Sequence, residues 1–512
     1  MLASTSNSHI VWLGLAPLIA PAVHGQCQSG QTSSGACSAS APAPSAQSPL
    51  IPSERPPFYL GTATSAPQIE GAVSTDGRSQ SVWDHWAASP GHIYHNETPN
   101  VADNFFHRYP EDIALMQRLG LRHFRFSVAW PRVIPSGSGA VSTEGLTFYS
   151  CVLDKLLAAN IQPVVTLYHW DLPQVLQDRY GGWLSDRVVA DYLKFANAVF
   201  SALGDRVTLW ATFNEPWTFC FNGYGTGGHA PGIPDRSGEK GQVWQCVGNV
   251  LRSHAAAVQL FRELVPKGKI SMALNSDWCE PLTSSAEDKE AAARQMDFQI
   301  SIFADPIYLG DWPKSVKERA PPNLLPITPD LAAALNGTSD LFYLNFYTAR
   351  YVFNQPGALG EWSAGRTDTN STFFGRDRKP IGGETCAPDW FYVTPWAMRK
   401  MLNWVDQRYG HPDIIITENG VCLPGEAATL PGVLNDTKLI EFHRDYVQSA
   451  MQAVALDKVK VLGYFIWSIY DNWEWNLGTS DRFGLVWVDF ANEQARHPKA
   501  STEWVSRWFT RE

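Results

Sequence analysis

The chain has 512 residues, of which 44% are hydrophobic, and a net charge of −10. That apolar share is enough for a large folded core, and an α/β barrel can use this length as one unit. The negative balance, with no basic run, argues against a nucleic-acid partner.

The N-terminus reads as a secretion signal over residues 1–25. "HIVWLGLAPLIAPAV" is apolar but too short and too proline-broken to span a bilayer, and small residues at Val23 and Gly25 suit cleavage. Residues 26–57 are rich in Ser, Ala, Pro and Gln and read as a disordered leader, since they hold too little apolar surface to pack. The remainder, 58–512, is expected to be one catalytic domain. No later apolar run is long enough for a membrane span. Sequons at Asn96, Asn336, Asn370 and Asn435 fit an extracellular glycoprotein. So do eight cysteines, among which Cys220 and Cys246 are the expected pair, while Cys151 reads as a buried free thiol. No cysteine pattern binds metal, and the isolated "HIYH" from His92 does not either, so no metal or cofactor is expected.

Eight apolar or β-branched runs follow: "FYLGTAT" from Phe58, "HFRFSVAW" from His123, "IQPVVTLYHW" from Ile161 and "VTLWATFNEP" from Val207. The second half supplies "KISMALNS" from Lys269, "DLFYLNFYTA" from Asp340, "DIIITENG" from Asp413 and "VLGYFIWSIY" from Val461. Amphipathic helical patterns separate most of them, including "YPEDIALMQRLG", "SDRVVADYLKFANAVFSALG", "TPWAMRKMLNWVDQRYG" and "NDTKLIEFHRDYVQSAMQAV". Strands alternating with helices imply a parallel sheet, and eight units predict an α/β fold closed as a single (β/α)8 TIM barrel.

In such a barrel the site lies at the C-terminal strand ends. There the runs deliver Arg125, His169, Asn214, Glu215, Asn345, Tyr347, Glu418 and Trp467. Taken singly, each has an ordinary structural explanation. Their gathering on one rim does not. Two strands that each end on a glutamate point to a pair of carboxyl groups working together. The 21 tryptophans mostly suit packing, but at a cleft rim their faces also suit pyranose rings.

At these residues the chain resembles glycoside hydrolase family 1, the β-glucosidase family, over Phe58 to Phe509. "TFNEP" is similar to the family's acid/base motif and "ITENG" to its nucleophile motif. "GTATSAPQIEGA", "RFSVAWPR", "TLYHWDLP", "SDLFYLNFYT" and "WSIYDNWEWNLGTSDRFGL" match further signatures in order. The resemblance implies a retaining β-glycosidase, with Glu215 as acid/base and Glu418 as nucleophile. It implies Arg125 and Tyr347 as supports of the nucleophile. Gln68, His169, Asn214, Asn345, Trp467, Glu474 and Trp475 match positions that bind the non-reducing-end sugar. A carboxylate at Glu474 would repel a phosphate, so the sugar is expected to be neutral, and Glu215 in place of Gln favours an O-glycosidase over a thioglucosidase. The expected partner is a small β-glucoside or a cello-oligosaccharide, as in cellulose degradation. A transglycosidase on the same site and a silent sugar-binding protein are the alternatives; the latter is disfavoured because both glutamates are present. Oligomeric state, preferred glycone and aglycone stay open. Departures from the pattern, among them Pro67, Tyr343, Phe346, Trp473 and Thr479, remove no catalytic group.

Overall fold

The computed structural model describes residues 58–319, 321–359, 365–387, 389–424 and 430–509. The expected signal and leader lie outside the described residues. All eight apolar runs form strands: β1 (Tyr59–Ala63), β2 (His123–Ser127), β3 (Gln162–Tyr168), β4 (Leu209–Asn214), β5 (Lys269–Asn275), β6 (Phe342–Asn345), β7 (Ile414–Asn419) and β8 (Val461–Trp467). They pair in parallel in sequence order, and β8 closes back on β1. Apolar residues on both faces explain the runs: one face fills the barrel and the other packs on helices. The four helical patterns appear as Phe105–Arg118, Arg187–Leu203, Pro395–Arg408 and Thr437–Gln452. In Arg187–Leu203 the buried Val188, Tyr192, Phe195, Val199 and Leu203 recur every three or four residues, which makes one apolar stripe against the sheet. Each large side chain so buried contributes about 1.5–3 kcal/mol.

Beyond the barrel, Trp278–Pro281, Ala349–Asn354 and Thr369–Thr372 make a small three-stranded sheet in the segments after β5 and β6. Val486–Asp489 and Ala495–Pro498 form a hairpin after β8. These strands are four to six residues long, too short for periodicity to announce them.

The expected Cys220–Cys246 disulfide is present, and a second joins Cys386 to Cys422. One expectation is corrected: Cys151 is buried but disulfide-bonded. Burial and crosslinking are separate properties, and local sequence reports neither. The free cysteine among the described residues is Cys279, which is buried. All four sequon asparagines are exposed. No helix among the described residues is long and apolar enough to cross a membrane.

The strands bearing the two glutamates lose regular register just before them. The β4–β5 ladder shifts between Ala211 and Asn214, and the β6–β7 ladder between Ile416 and Glu418. Such irregularities re-aim side chains at a barrel rim. After Glu418 the chain passes so close to β8 that a Cβ on Gly420 would lie 1.8 Å from the carbonyl oxygen of Trp467. Only glycine fits there. Gly420→Ala is therefore expected to cost about 1–3 kcal/mol, read as a lowered melting temperature, and to reduce glycosidase activity because the displaced segment begins two residues after Glu418.

Candidate active site

A cavity of about 480 Å³ opens at the C-terminal end of the barrel. Its lining includes His169, Asn214, Glu215, Asn345, Tyr347 and Glu418, together with Trp467, Glu474 and Trp475. Of the residues predicted from sequence, only Arg125 and Gln68 stand behind the wall, each holding a residue that lines it.

Arg125 sets the polarity of the site. It projects from β2, its side chain 1% exposed, and donates to Glu418 Oε1 at 2.5 Å and to Asn214 Oδ1 at 2.6 Å. A guanidinium can only donate, so the Asn214 oxygen is fixed as an acceptor and its amide nitrogen must face His169 Nε2, 2.9 Å away. His169 Nε2 is then an acceptor and the ring is neutral. Burial and the charge of Arg125 hold its pKa well below the usual imidazole value. Asn345 Nδ2 donates to Asn214 Oδ1 at 3.0 Å and to Glu215 Oε1 at 2.8 Å. One cation thereby orients two amides, an imidazole and both carboxyl groups.

The two glutamates are held differently. Glu418 contacts Arg125 through one oxygen and accepts from the Tyr347 hydroxyl at 2.9 Å through the other. Burial raises its pKa and Arg125 opposes the rise. An attraction of about 4 kcal/mol for a close pair in a protein interior is similar to the several kcal/mol needed to desolvate each ion. Burial is the larger influence, and Arg125 and the Tyr347 hydroxyl favour the ionised form against it. Glu215 has no cation at contact. It takes its oxygens to Asn345 and to the Thr218 hydroxyl, at 2.8 and 2.9 Å. Burial first, and then the charge of Glu418, push its pKa up to about 8. Glu215 also sits in the left-handed region, φ 45°, a strained setting for a non-glycine residue. Pro216 directly after it opens the next helix.

Glu474 faces the cavity and accepts from Gln68 Nε2 at 3.2 Å. Gln68 is fully buried, its amide nitrogen shared with Asn472 and its oxygen taken by Ser65. It therefore braces Glu474 from behind. Burial, then the charge of Asp481, push Glu474 up to about 8. Trp467 lies near-parallel to His169, rings 5.9 Å apart, and Trp475 packs on Trp170 and Trp83 at 4.3 and 4.7 Å. Sequence reading missed Thr218, Asn275, Thr417 and Asn472. Their only signal is the strand end or turn on which they sit, because their roles come from partners on other strands.

A barrel whose C-terminal face gathers two differently held carboxyl groups in a cavity of sugar size suits a glycoside-cleaving enzyme. Comparison with known proteins agrees: residues 53–512 match the description "Glycosyl hydrolase family 1", and the chain belongs to that family. It is a retaining O-glycosyl hydrolase. It is similar to β-glucosidase 25 of Oryza sativa subsp. japonica, with 39% identity over 88% of this chain and 93% of that one. A GH1 β-glucosidase from the fungus Humicola insolens, solved in complex with glucose, superposes with a TM-score of 0.85 at 37% identity, covering 90% of this chain and 98% of that one. A rice β-glucosidase mutant in a covalent complex with Glc superposes at 0.84, with 38% identity over 88% and 97% of the two chains.

The raised pKa values set a pH dependence. Glu215 carries its proton below about pH 8, so kcat/KM is expected to fall as pH rises through that value. Glu418 titrates above the ordinary carboxylate value, so activity is also lost as pH falls through its raised pKa. The apparent values belong to the coupled pair. Glu215→Ala, assayed with a dinitrophenyl glucoside because that leaving group needs no acid, should show no alkaline limb in kcat/KM, whereas the wild type should show one with a glucoside whose leaving group needs the proton. A limb near pH 8 that persists in this variant would assign it to Glu474.

Proposed function

We propose that the protein hydrolyses β-D-glucosyl residues from the non-reducing end of oligosaccharides or of aryl and alkyl glucosides, through a covalent glycosyl-enzyme. The observation that carries this reading is the unequal environment of the two carboxyl groups. The one held by a guanidinium and a phenol stays ionised, and the one held by neutral donors keeps its proton. Glu418 attacks the anomeric carbon while Glu215 gives its proton to the departing oxygen, so the aglycone leaves as an alcohol. Once Glu418 is esterified its charge no longer raises the pKa of Glu215, which now takes a proton from water as that water attacks. Two inversions give net retention. Asn214, held by Arg125, faces the sugar where its 2-hydroxyl lies, and Trp467 supplies the platform.

Several findings support glucose as the sugar: the relatives are β-glucosidases, and the fungal one was solved with glucose. Glu474, held by Gln68, offers hydrogen bonds to the distal hydroxyls of a neutral sugar. Cello-oligosaccharides are the natural substrate class on this reading. Secretion is part of the same proposal. It is supported by the N-terminal apolar segment, by the Cys220–Cys246 and Cys386–Cys422 disulfides, and by the exposure of all four sequon asparagines.

Two variants test the roles. Glu418→Ala should abolish turnover of every glycoside. Glu215→Ala should collapse on cellobiose, whose leaving group needs a proton, yet react once with a dinitrophenyl glucoside and accumulate the glycosyl-enzyme. Azide needs no base and should then restore turnover, yielding the β-glucosyl azide by NMR. An α-azide, or no rescue with either substrate, would overturn the assignment. Initial rates on a panel of nitrophenyl β-glycosides test the glycone, with the glucoside expected to be fastest.

A further inference from the structure

Glu215 is held on one side by a pair of residues that the resemblance did not single out. Thr218, one turn on in the helix Pro216–Phe221, donates its hydroxyl to Glu215 Oε2 at 2.9 Å. Asn275, the last residue of β5, donates Nδ2 to the same Thr218 oxygen at 2.9 Å. All three residues line the cavity. The direction of this chain follows from chemistry. When Glu215 is ionised it only accepts, so the Thr218 proton then points to it, and a lone pair left on the hydroxyl is met by the Asn275 amide nitrogen, which only donates. The other oxygen of Glu215 accepts from Asn345. The carboxyl group is therefore clamped across β5, β6 and its own helix, and each clamp favours its charged form.

We propose that Thr218, oriented by Asn275, is a positioning residue that sets where Glu215 titrates and so lets one side chain serve as acid and then as base. The inference rests on the acid/base reading of Glu215. Burial and the charge of Glu418 favour the protonated form needed for the first step, but the second step needs the carboxylate. The Thr218 hydroxyl stabilises that form with no charge of its own, so the clamp adds no net charge to a site where a cation would hold Glu215 ionised in both steps. No atom of Thr218 or Asn275 joins the reaction: the proton leaves Glu215 for the leaving oxygen and returns from water. The groups whose charge reaches Glu215 come from other elements. Arg125 of β2 lowers its pKa and Glu418 of β7 raises it; Tyr347, Glu474 and the neutral His169 share the cavity.

The test is Thr218→Val, which keeps the shape and removes the hydroxyl. Loss of a donor to the charged form should raise the Glu215 pKa. The alkaline limb of kcat/KM for a nitrophenyl glucoside should then move up by about half to one pH unit, the size of one net hydrogen bond. Where hydrolysis of the glycosyl-enzyme limits turnover, the acid limb of kcat should also move up, because less base is present at low pH. Thr218→Ser should restore both limbs, and Asn275→Ala should shift them in the same direction by less. A Thr218→Val profile that overlays the wild type, while Glu215→Ala still removes the alkaline limb, would overturn the proposal and leave the acid/base reading intact. If Glu215→Ala leaves the limb in place, it is the acid/base reading that fails. Melting curves separate a fold defect from a shifted pKa: the proposal expects the shift with the melting temperature preserved, and a profile shift that Ser does not reverse would overturn it.

Discussion

The site depends on one buried cation. Arg125 sits inside the barrel with its guanidinium shared between Glu418 and Asn214, and every other orientation at the rim follows from its inability to accept a hydrogen bond. The fixed fork of the guanidinium suits this role better than a lysine ammonium would, since it grips two acceptors on two strands at once. Its net contribution to stability is small, because desolvation offsets most of the attraction. Its contribution to specificity of geometry is large. Removing it would leave the Glu418 carboxylate buried without a countercharge and the Asn214 amide free to turn over.

The rest of the scaffold bears strain so that two carboxyl groups can face one cavity. Both glutamate-bearing strands lose register at their last residues, and Glu215 occupies the left-handed region. Such conformations cost about 1–3 kcal/mol each and persist only when the surroundings over-determine them. Here the over-determination is visible: the Glu215 backbone N–H donates to the Ala273 carbonyl at 2.9 Å, Pro216 pre-sets the next helix, and four polar groups grip the two side chains, from β2, β6, the segment just after β6 and the helix Pro216–Phe221. The packed helices around the barrel supply the stability that the rim consumes.

The pair of carboxyl groups works as a cycle because each is tuned against the other. While Glu418 is charged it helps keep Glu215 protonated. On the proposed mechanism, esterification of Glu418 would remove that influence at the moment a base is needed. The periphery supports the cycle with rigid links. The Cys386–Cys422 disulfide ties the segment after Glu418 to the loop carrying Phe391, whose ring lies 6.4 Å from that of Tyr347, the residue that donates to the nucleophile candidate.

By itself the sequence determined the barrel and the rim. All eight strands were legible because strands buried on both faces must be apolar along their length, and the glutamates were legible because a carboxylate ending such a run has no structural excuse. The Cys220–Cys246 pair was readable too, since both cysteines flank one loop. Only the tertiary structure decided which partner each polar group meets. Gln68, matched to a sugar-binding position, meets Glu474, Asn472 and Ser65. Cys151 looked like a free thiol but is crosslinked. Thr218 and Asn275 carried no signal beyond their place at a strand end or turn, since they lie 57 residues apart and their meaning arises where β5 closes against β4. Periodicity encodes which face of an element is buried. It does not encode which strand ends converge, because that is set by closure of the barrel and by the irregular turns at its rim.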